Sequence, residues 1–278
     1  MGFEHYLFNL AVSAKVTVCN LMPRIRLKNK NYVKKVREIK PPVWQTMRFW
    51  LLIVSVYAVW IYGLRRPVYQ HLYGSPAEPP AEQMTETWEE IPHQDWQETT
   101  VNGYKIRYMV RKKYSVTGRI VYLDWYHFIG TWYRSAMNPG VYLYDGVVPV
   151  DVSVLHGATA AEDNWHKLKF THEYRLLWSR PKYKNIAYVY NPEERNNNHT
   201  IPASKNILRA LKIVKIGEPV YIEGYLVDWE GTGKYADFKI KTAVTPGELS
   251  HEKAGGLKTW LCRQIFITKI SFGGYTFE

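Results

Sequence analysis

The chain has 278 residues, and 46% of them are hydrophobic, so it is long enough to bury a core and too apolar to be disordered throughout. Its formal charge of +12 favours anionic partners, such as lipid headgroups or nucleic acid, without selecting one of them. The two cysteines, Cys19 and Cys262, show no spacing typical of a zinc site or of a disulfide framework, which excludes the small disulfide-stapled class.

An uncharged, mostly apolar run covers residues 49–64, between Arg48 and the pair Arg65–Arg66. As a helix it would be about 24 Å long, and apolar residues before it extend it toward the roughly 30 Å of a hydrocarbon core. Charge at both ends and apolarity on all sides favour a transmembrane helix over a buried core helix. We predict one span over residues 45–66. Its defining residues are Phe49, Trp50, Leu51, Leu52, Ile53, Trp60, Ile61 and Leu64.

The charges on the two sides of this run predict its orientation. Residues 1–48 contain ten Lys and Arg and two acids, whereas residues 67–104 contain seven acids and no Lys or Arg. Positive charge stays on the cytoplasmic side of a membrane. In a bacterium, this predicts an inner-membrane protein with a cytoplasmic N-terminus and a periplasmic C-terminal domain.

The two flanks of the span differ in character. Residues 1–44 predict a basic cytoplasmic arm that begins with a possible amphipathic helix. This arm suits a solvated tail, a helix on anionic lipid or a contact with a neighbouring subunit equally well. Residues 67–104 are acidic and rich in proline, which predicts an extended spacer. Trp88 and Trp96 are unusual in a pure linker, and they suggest that part of it packs against the domain or a partner.

Residues 105–278 predict a mainly β domain with one short helix. The clearest strand is 219–229, with period-two alternation, and residues 140–157 predict two short strands around Asp145-Gly146. The helix lies between Ser204, a natural N-cap, and Gly217, a natural C′ residue.

The order of these elements predicts a fold. Several strands, one helix and then further strands are the order of a small OB-like, Greek-key barrel. Gly118 and Gly224 lie inside strands, where a small barrel needs bends or bulges. An SH3-like barrel and an α+β sandwich are the alternatives.

Two blocks of the domain carry a resemblance, "VDVSVLHGATAAEDNWHKLKFTHEYRLLW" and "NNNHTIPASKNILRALKIVKIGEPVYIEGYLVDW". They resemble the N-x-H-x-I-P-A and V-x-I-x-G-Y-L-V signature of a family of bacterial envelope proteins whose activity is not established. The resemblance covers residues 114–270 and implies a bacterial origin and an envelope setting, without a function. The closing block "FKIKTAVTPGELSHEKAGGLKTW" departs from the family pattern. The matching residues are Asp151, Gly157, Trp178, Asn197, His199, Ile201, Pro202, Ala203, Gly224, Tyr225 and Leu226.

The run "NNNHTIPAS", residues 196–204, is the most site-like stretch of the chain. Its Asn and His side chains suit ligand recognition, but the same residue types cap turns and loops, and the structural interpretation is the safer one. The candidate interaction or ligand site consists of Asn197, His199, Pro202, Asp151 and Trp178.

No catalytic residue, metal site or cofactor is predicted. The sequence contains no nucleophile elbow, P-loop or dinucleotide fingerprint. His166 and His172 are six residues apart and would share a face on a continuous strand, which is a weak signal for a metal. His156 and His199 add no compact cluster of metal-ligand spacing.

Residues 105–278 carry 25 Lys and Arg against 16 acids, and aromatic residues alternate with bases in "KIRYMVRKKY". This pattern is typical of single-strand nucleic-acid binding, but a periplasmic location argues against nucleic acid as a partner.

The leading functional hypothesis is a non-catalytic, single-pass subunit of a multiprotein envelope assembly. Its expected partners are other envelope subunits, the lipid bilayer and, at the N-terminal arm, anionic lipid. Two alternatives stay open. One is a periplasmic enzyme or small-ligand binder that uses His199 and Asp151, and the other is an OB-like nucleic-acid-binding domain in DNA transfer.

Overall fold

The computed structural model describes residues 43–78, 84–126, 140–173, 175–183, 191–232, 237–245, 252–253, 256–257 and 262–278. The predicted basic arm lies outside these ranges, apart from its last two residues. The chain divides into two compact units, Met1–Tyr57 and Ala58–Glu278.

An apolar helix begins the described chain. It consists of α1 (Val43–Ala58), a π-helical stretch (Val59–Leu64) and α2 (Arg65–Tyr73). The part from Met47 to Tyr73 is long and apolar enough to cross a membrane, and no residue of its most apolar stretch is buried in the protein. The predicted apolar helix is therefore confirmed, and it extends further toward the C-terminus than the predicted span.

The π-helical stretch coincides with a proline. Pro67 has no backbone N–H, so the carbonyl of Gly63, four residues earlier, has no α-helical donor. The backbone N–H of Arg65 reaches back five residues to the carbonyl of Trp60, as a π turn requires. The helix therefore widens at this point without ending.

The remaining elements are mainly strands, which confirms the mainly β prediction. Among the described residues, the other α-helices are α3 (Gly140–Val147), α4 (Glu162–Trp165) and α5 (Lys205–Leu211). The strands are β1 (Ser75–Pro76), β2 (Glu86–Glu90), β3 (Gln97–Val101), β4 (Tyr104–Trp125), β5 (Val150–Leu155), β6 (Leu168–Glu173), β7 (Leu176–Pro181), β8 (Arg195–Pro202), β9 (Pro219–Thr232), β10 (Asp237–Ile240), β11 (Glu252–Lys253), β12 (Gly256–Leu257), β13 (Arg263–Phe272) and β14 (Tyr275–Phe277).

Five of these strands each pair with two others of the same set. β4 is antiparallel to β5 and β9, and β5 is antiparallel to β8. β13 is parallel to β8 and antiparallel to β9. The hydrogen-bonded order is therefore β4, β5, β8, β13, β9 and again β4.

The main hydrophobic core lies on one face of these five strands. Alternate residues of β9, such as Ile222 and Leu226, are fully buried there together with Ile265 of β13. Helix α5 packs Ile207 and Leu211 into the same core. Ser204 accepts a hydrogen bond from the N–H of Ile207 at 3.1 Å, which confirms the predicted N-cap.

Two local predictions differ from the structure. Helix α5 ends at Leu211, so Gly217 is not its C′ residue, although its φ of +88° places it in a left-handed turn. Residues 140–147 form helix α3 instead of the first strand of a hairpin. Leu143 and Val147, four residues apart, share a helical face and are buried against Trp229 and Phe266. Burial of that face stabilises a helix where the Asp-Gly pair suggests a turn.

The predicted spacer, residues 67–104, contains helical and strand elements, and part of it packs against the domain, as Trp88 and Trp96 suggest. Its first residues belong to α2, β2 pairs with residues 112–116 of β4, and β3 pairs with residues 104–108. Glu90 contacts Lys112 at 2.6 Å and Glu89 contacts Lys113 at 3.7 Å. The acids that resemble a solvated linker are cross-strand partners of a basic strand.

A substitution at Gly224 tests how closely β9 and β13 approach each other. A Cβ at this position would lie 2.2 Å from the carbonyl oxygen of Phe266, closer than any real contact. We expect Gly224→Ala to force the ladder apart and to lower the free energy of unfolding by about 1–3 kcal/mol, the usual cost of overpacking. Denaturant unfolding of the full chain in detergent micelles measures this difference.

Gly63→Ala is the matched control, because nothing lies within 4 Å of a Cβ there. A Gly224→Ala variant as stable as this control would contradict the close approach of the two strands.

Candidate functional site

A buried carboxylate, Asp151, is the centre of the candidate site. It lies on β5, directly opposite His199 of β8 and Asp124 of β4. Its side chain is fully buried. Carboxylates that face each other on neighbouring strands repel, so this arrangement requires compensating donors.

Three donor groups contact the Asp151 carboxylate, and the ring of His172 lies next to them. Its Oδ1 lies 2.8 Å from Nδ1 of His199 and accepts a hydrogen bond from Nη1 of Arg175 at 3.0 Å. Its Oδ2 accepts a hydrogen bond from the Tyr126 hydroxyl at 2.6 Å and lies 3.6 Å from Nε2 of His172. The carboxylate oxygens of Asp151 are therefore occupied by protein donors.

His172 lies close to both facing carboxylates and hydrogen-bonds to Asp124. Its Nδ1 lies 2.8 Å from Oδ2 of Asp124, on the side away from Asp151. The ring stacks on Tyr122 with a centroid distance of 5.6 Å, and its side chain is 1% exposed. His172 belongs to β6, whereas His166 lies in the turn before that strand, so the two do not share a strand.

Arg175 supplies a positive charge to this cluster. Its guanidinium lies between the rings of Tyr126 and Tyr144, at 3.5 and 4.0 Å from their centroids, and also pairs with Asp145. Its backbone φ is +62°, an uncommon conformation for a residue with a side chain. The ion pairs and the two rings hold this turn residue in place. No motif in the sequence indicates Arg175, because its role depends on a hairpin turn that meets α3 and β5.

The charge states follow from burial and from these partners. Burial by itself would raise the pKa of Asp151, but His199 and Arg175 outweigh it and hold the pKa of the carboxyl below its usual range. Burial would lower the pKa of His199, but Asp151 and the Cys262 thiol raise it to about 9. His199 is therefore an imidazolium at neutral pH, paired with a carboxylate.

These charge states limit the chemistry of the cluster. A protonated His199 cannot accept a proton from a substrate, and the oxygens of Asp151 already accept from protein donors. The described arrangement suits a structural charge network better than a general acid–base pair. Within the described residues, no group of three or more His, Cys, Asp or Glu side chains is arranged to hold a metal ion.

The structure places the other predicted site residues around this network. Pro202 is buried at the end of β8, and Asn197 is half-buried, where its amide donates to the carbonyl of Arg175 at 2.7 Å. Trp178 is half-buried on β7. Of the predicted site residues, Asp151 and His199 contact each other. Pro202 and Trp178 are not among the described groups that contact this pair. Together these residues offer little accessible surface.

A second buried cluster contains a charge that the sequence did not indicate. Arg263 on β13 is fully buried and pairs with Glu86 of β2, which also accepts a hydrogen bond from the Tyr114 hydroxyl at 2.7 Å. The guanidinium lies 4.7 Å from the ring centroid of Trp88. This contact fixes β2 to the five central strands and explains why an apparent linker contains a tryptophan.

The basic and aromatic stretch "KIRYMVRKKY" has a structural explanation. Arg107 contacts Glu230 at 3.0 Å and Arg111 contacts Asp228 at 3.2 Å, both on the neighbouring β9. Lys112 and Lys113 contact the acids of β2 described above. Four of the bases that suggest a phosphate-binding stripe therefore have carboxylate partners.

An open groove of about 800 Å³ lies across the edge of the sheet formed by β3, β4, β9 and β10. Both signs of charge line it, including Glu98 and Asp237 as well as Arg107 and Lys239. Trp96 lies beside the groove, with the guanidinium of Arg107 at 5.5 Å and Nζ of Lys239 at 5.4 Å from its ring. The sequence marks Trp96 only as unusual for a linker.

Comparison with known proteins does not add a family. No family model matches the chain, and no match is found among curated proteins or among solved structures.

The pH dependence of the free energy of unfolding should show how much the His199–Asp151 pair contributes to stability. The pKa of His199 is about 9 in the folded chain against an ordinary value of 6.5, so the pair stabilises fully below pH 6.5 and its contribution is lost as the pH rises through 9. The loss amounts to at most about 3 kcal/mol. Chemical unfolding at a series of pH values measures it.

His199→Gln should be less stable than the unmodified chain at pH 6.5 and should show a flatter profile from there to pH 9. His93→Gln, at an exposed position, serves as the control. If the unmodified chain and His199→Gln lose stability in parallel over this range, the pair does not carry the charge assigned to it.

Proposed function

We propose that this chain is a non-catalytic, single-pass membrane-anchored subunit of a multiprotein envelope assembly. The observation that carries the proposal is the apolar helix from Met47 to Tyr73, whose last turns belong to the same compact unit as the β strands. A core helix of a soluble protein can be equally long and apolar, but none of the most apolar stretch of this helix is buried. Lipid is the solvent that suits such a surface.

The helix is attached to the domain at the point where the apolar run ends. Arg66 pairs with Glu218 and lies 5.6 Å from the ring centroid of Phe272. Arg65 donates a hydrogen bond to the carbonyl of Lys212 at 2.5 Å. Tyr69 and Tyr73 pack against the main core. These contacts make α2 a part of the β domain.

The domain lies in the periplasm and the basic arm in the cytoplasm of a bacterium in this proposal. The distribution of Lys and Arg before and after the span supports this orientation. Arg65 and Arg66 on the outer side oppose it slightly, but ten Lys and Arg on the inner side against these two decide the orientation.

We further propose that the five central strands form an OB-like barrel. Numbered along the chain, β4, β5, β8, β9 and β13 pair in the order 1-2-3-5-4, and strands 3 and 5 are parallel. Helix α5 lies between strands 3 and 4. This order and the helix position support a Greek-key barrel of that type. The fold by itself does not specify a ligand.

The groove beside Trp96 is the proposed contact surface for a protein partner. Its mixed charges favour a polar protein surface over a uniformly anionic polymer such as nucleic acid. Trp96 is an aromatic residue of the kind that dominates the binding energy at protein interfaces. Strands β3 and β10 flank it, and each pairs with one strand only among the described residues.

One observation favours a second candidate, an enzyme or small-ligand site on Asp151 and His199. The thiol of Cys262 is within hydrogen-bonding reach of His199, and Cys262 is half-buried rather than inaccessible. The reactivity of a thiol depends on the groups that contact it. If this site is functional, alkylation of Cys262 by iodoacetamide should be several-fold slower in His199→Gln under native conditions. Equal rates would contradict it.

Membrane anchoring makes a sharp prediction at Leu52 and Val56, which are 62% and 59% exposed. The double change Leu52→Arg and Val56→Arg places two charges in the apolar run, at about 2.5–3.5 kcal/mol each. We expect this variant to be released from membranes by alkaline carbonate, whereas the unmodified chain stays bound.

Leu72→Arg is the matched control, since Leu72 is also 62% exposed but follows the apolar run. Release of the unmodified chain under the same conditions would contradict the anchor. A C-terminal reporter active only in the cytosol would contradict the orientation.

Membership in an assembly predicts co-purification. From its native host in mild detergent, the chain should elute as a complex larger than a monomer and with defined other subunits. Trp96→Ala combined with Arg107→Glu should lose them, because it removes the aromatic residue and reverses one charge of the groove.

Arg180→Glu, at an exposed position on β7, should keep the partners. A monodisperse monomer without partners would contradict the proposal as a whole.

A further inference from the structure

Two exposed side chains of the β domain stand out. Beyond the long helix, the large hydrophobic residues that the structure shows as exposed are Tyr183, at 64%, and Ile216, at 54%. Single exposed apolar residues need no explanation, but these two lie beside the same short segment, residues 165–167.

Trp165 of this segment packs next to Ile216. A Cβ on Gly217 would lie 3.1 Å from the indole ring, so the ring packs on the backbone next to Ile216. Arg119 lies 5.7 Å from the centroid of that indole and donates to the carbonyl of Gly217 at 2.6 Å. These contacts hold the turn of Ile216 against Trp165.

Lys182, the neighbour of Tyr183 in sequence, is hydrogen-bonded to the same segment. Its backbone N–H donates to the carbonyl of Lys167 at 2.8 Å, and its Nζ donates to the carbonyl of His166 at 2.6 Å. Tyr183 is therefore the residue after Lys182, which is hydrogen-bonded to His166 and Lys167. An indole, a phenol and an aliphatic side chain share one end of the domain.

This end is also where the apolar helix joins the domain. Arg65, directly after Leu64, donates to the carbonyl of Lys212, and Arg66 pairs with Glu218. The turn that contains Lys215 and Ile216 lies between those two contacts in sequence. It is therefore adjacent to the helix at the level where the apolar run ends.

Three lysines lie at this end, where α4 also contributes Glu162 and Asp163. Lys167, Lys182 and Lys215 have no carboxylate partner among the described residues, and Glu218 is already neutralised by Arg66. Tryptophan, tyrosine and lysine are the residues that lie at the headgroup level of a bilayer. Lysines near such a surface favour anionic lipid.

We propose that an interfacial patch lies on the headgroups of an anionic bilayer and holds the β domain directly against the membrane. The patch consists of Lys167, Lys182, Tyr183, Lys215 and Ile216, and it lies beside Trp165, whose indole Nε1 is buried. This inference rests on the proposed membrane anchor, and it adds a second, peripheral contact with lipid at the foot of the domain.

The test uses the full chain in detergent, in phosphatidylcholine nanodiscs and in nanodiscs that also contain phosphatidylglycerol. Acetylation rates of single lysines are read by mass spectrometry. Lys215 should react about fivefold more slowly in the anionic nanodiscs than in detergent. Lys239 is the internal control, because it pairs in register with Glu230 at the opposite end of β9 and should keep its rate.

Ile216→Glu should restore the reactivity of Lys215 in anionic nanodiscs, since it places a carboxylate in the patch. Thr232→Glu adds the same charge at the far end of β9, at an exposed position, and should leave Lys215 protected. Protection of Lys215 that is equal in both kinds of nanodisc, or absent from both, overturns the proposal.

Carbonate extraction separates this inference from the anchor. A chain that resists extraction while Lys215 stays fully reactive overturns the patch alone. A chain that alkaline carbonate releases overturns the anchor, and the patch with it.

Discussion

The ion pair between Arg66 and Glu218 is the contact on which the proposed geometry depends. It lies where the apolar run ends, and together with the bond from Arg65 to the carbonyl of Lys212 it joins α2 to the β domain. Removing one member of a partly buried ion pair is costly, because the other charge is left without a partner. These contacts fix α2 to the β domain. If the helix crosses a membrane, the end of the domain that contacts α2 faces the lipid.

The same principle governs the interior. Asp151 and Asp124 face each other across neighbouring strands, and only the positive and hydrogen-bonding groups around them make that arrangement stable. Arg175 reaches the cluster from a strained turn and His199 from β8. These contacts hold the paired strands in one arrangement, although Nε2 of His172 has no hydrogen-bond partner among the described residues. The thiol of Cys262 beside His199 is the one feature of this network that points toward chemistry.

Charge complementarity between distant segments explains the main difference between expectation and structure. The acids of residues 86–90 resemble a solvated linker when they are considered alone, and the bases of β4 resemble a nucleic-acid stripe. In the fold they are adjacent strands, and Lys112 and Lys113 meet Glu90 and Glu89. Local composition cannot show such pairing, because the partners are more than twenty residues apart and only the strand register brings them together.

Features that depend on local pattern could be predicted from the sequence. The apolar run, the alternation of residues 219–229 and the cap at Ser204 each act over a few residues, and the structure contains all three. Of the candidate site, the sequence indicated His199 and Asp151 but not Arg175, Tyr126 or Arg263. Those residues come from separate elements, and their roles exist only after the strands have paired. The helix at residues 140–147 likewise results from burial against Trp229, since tertiary packing outweighs the turn preference of a single Asp-Gly pair.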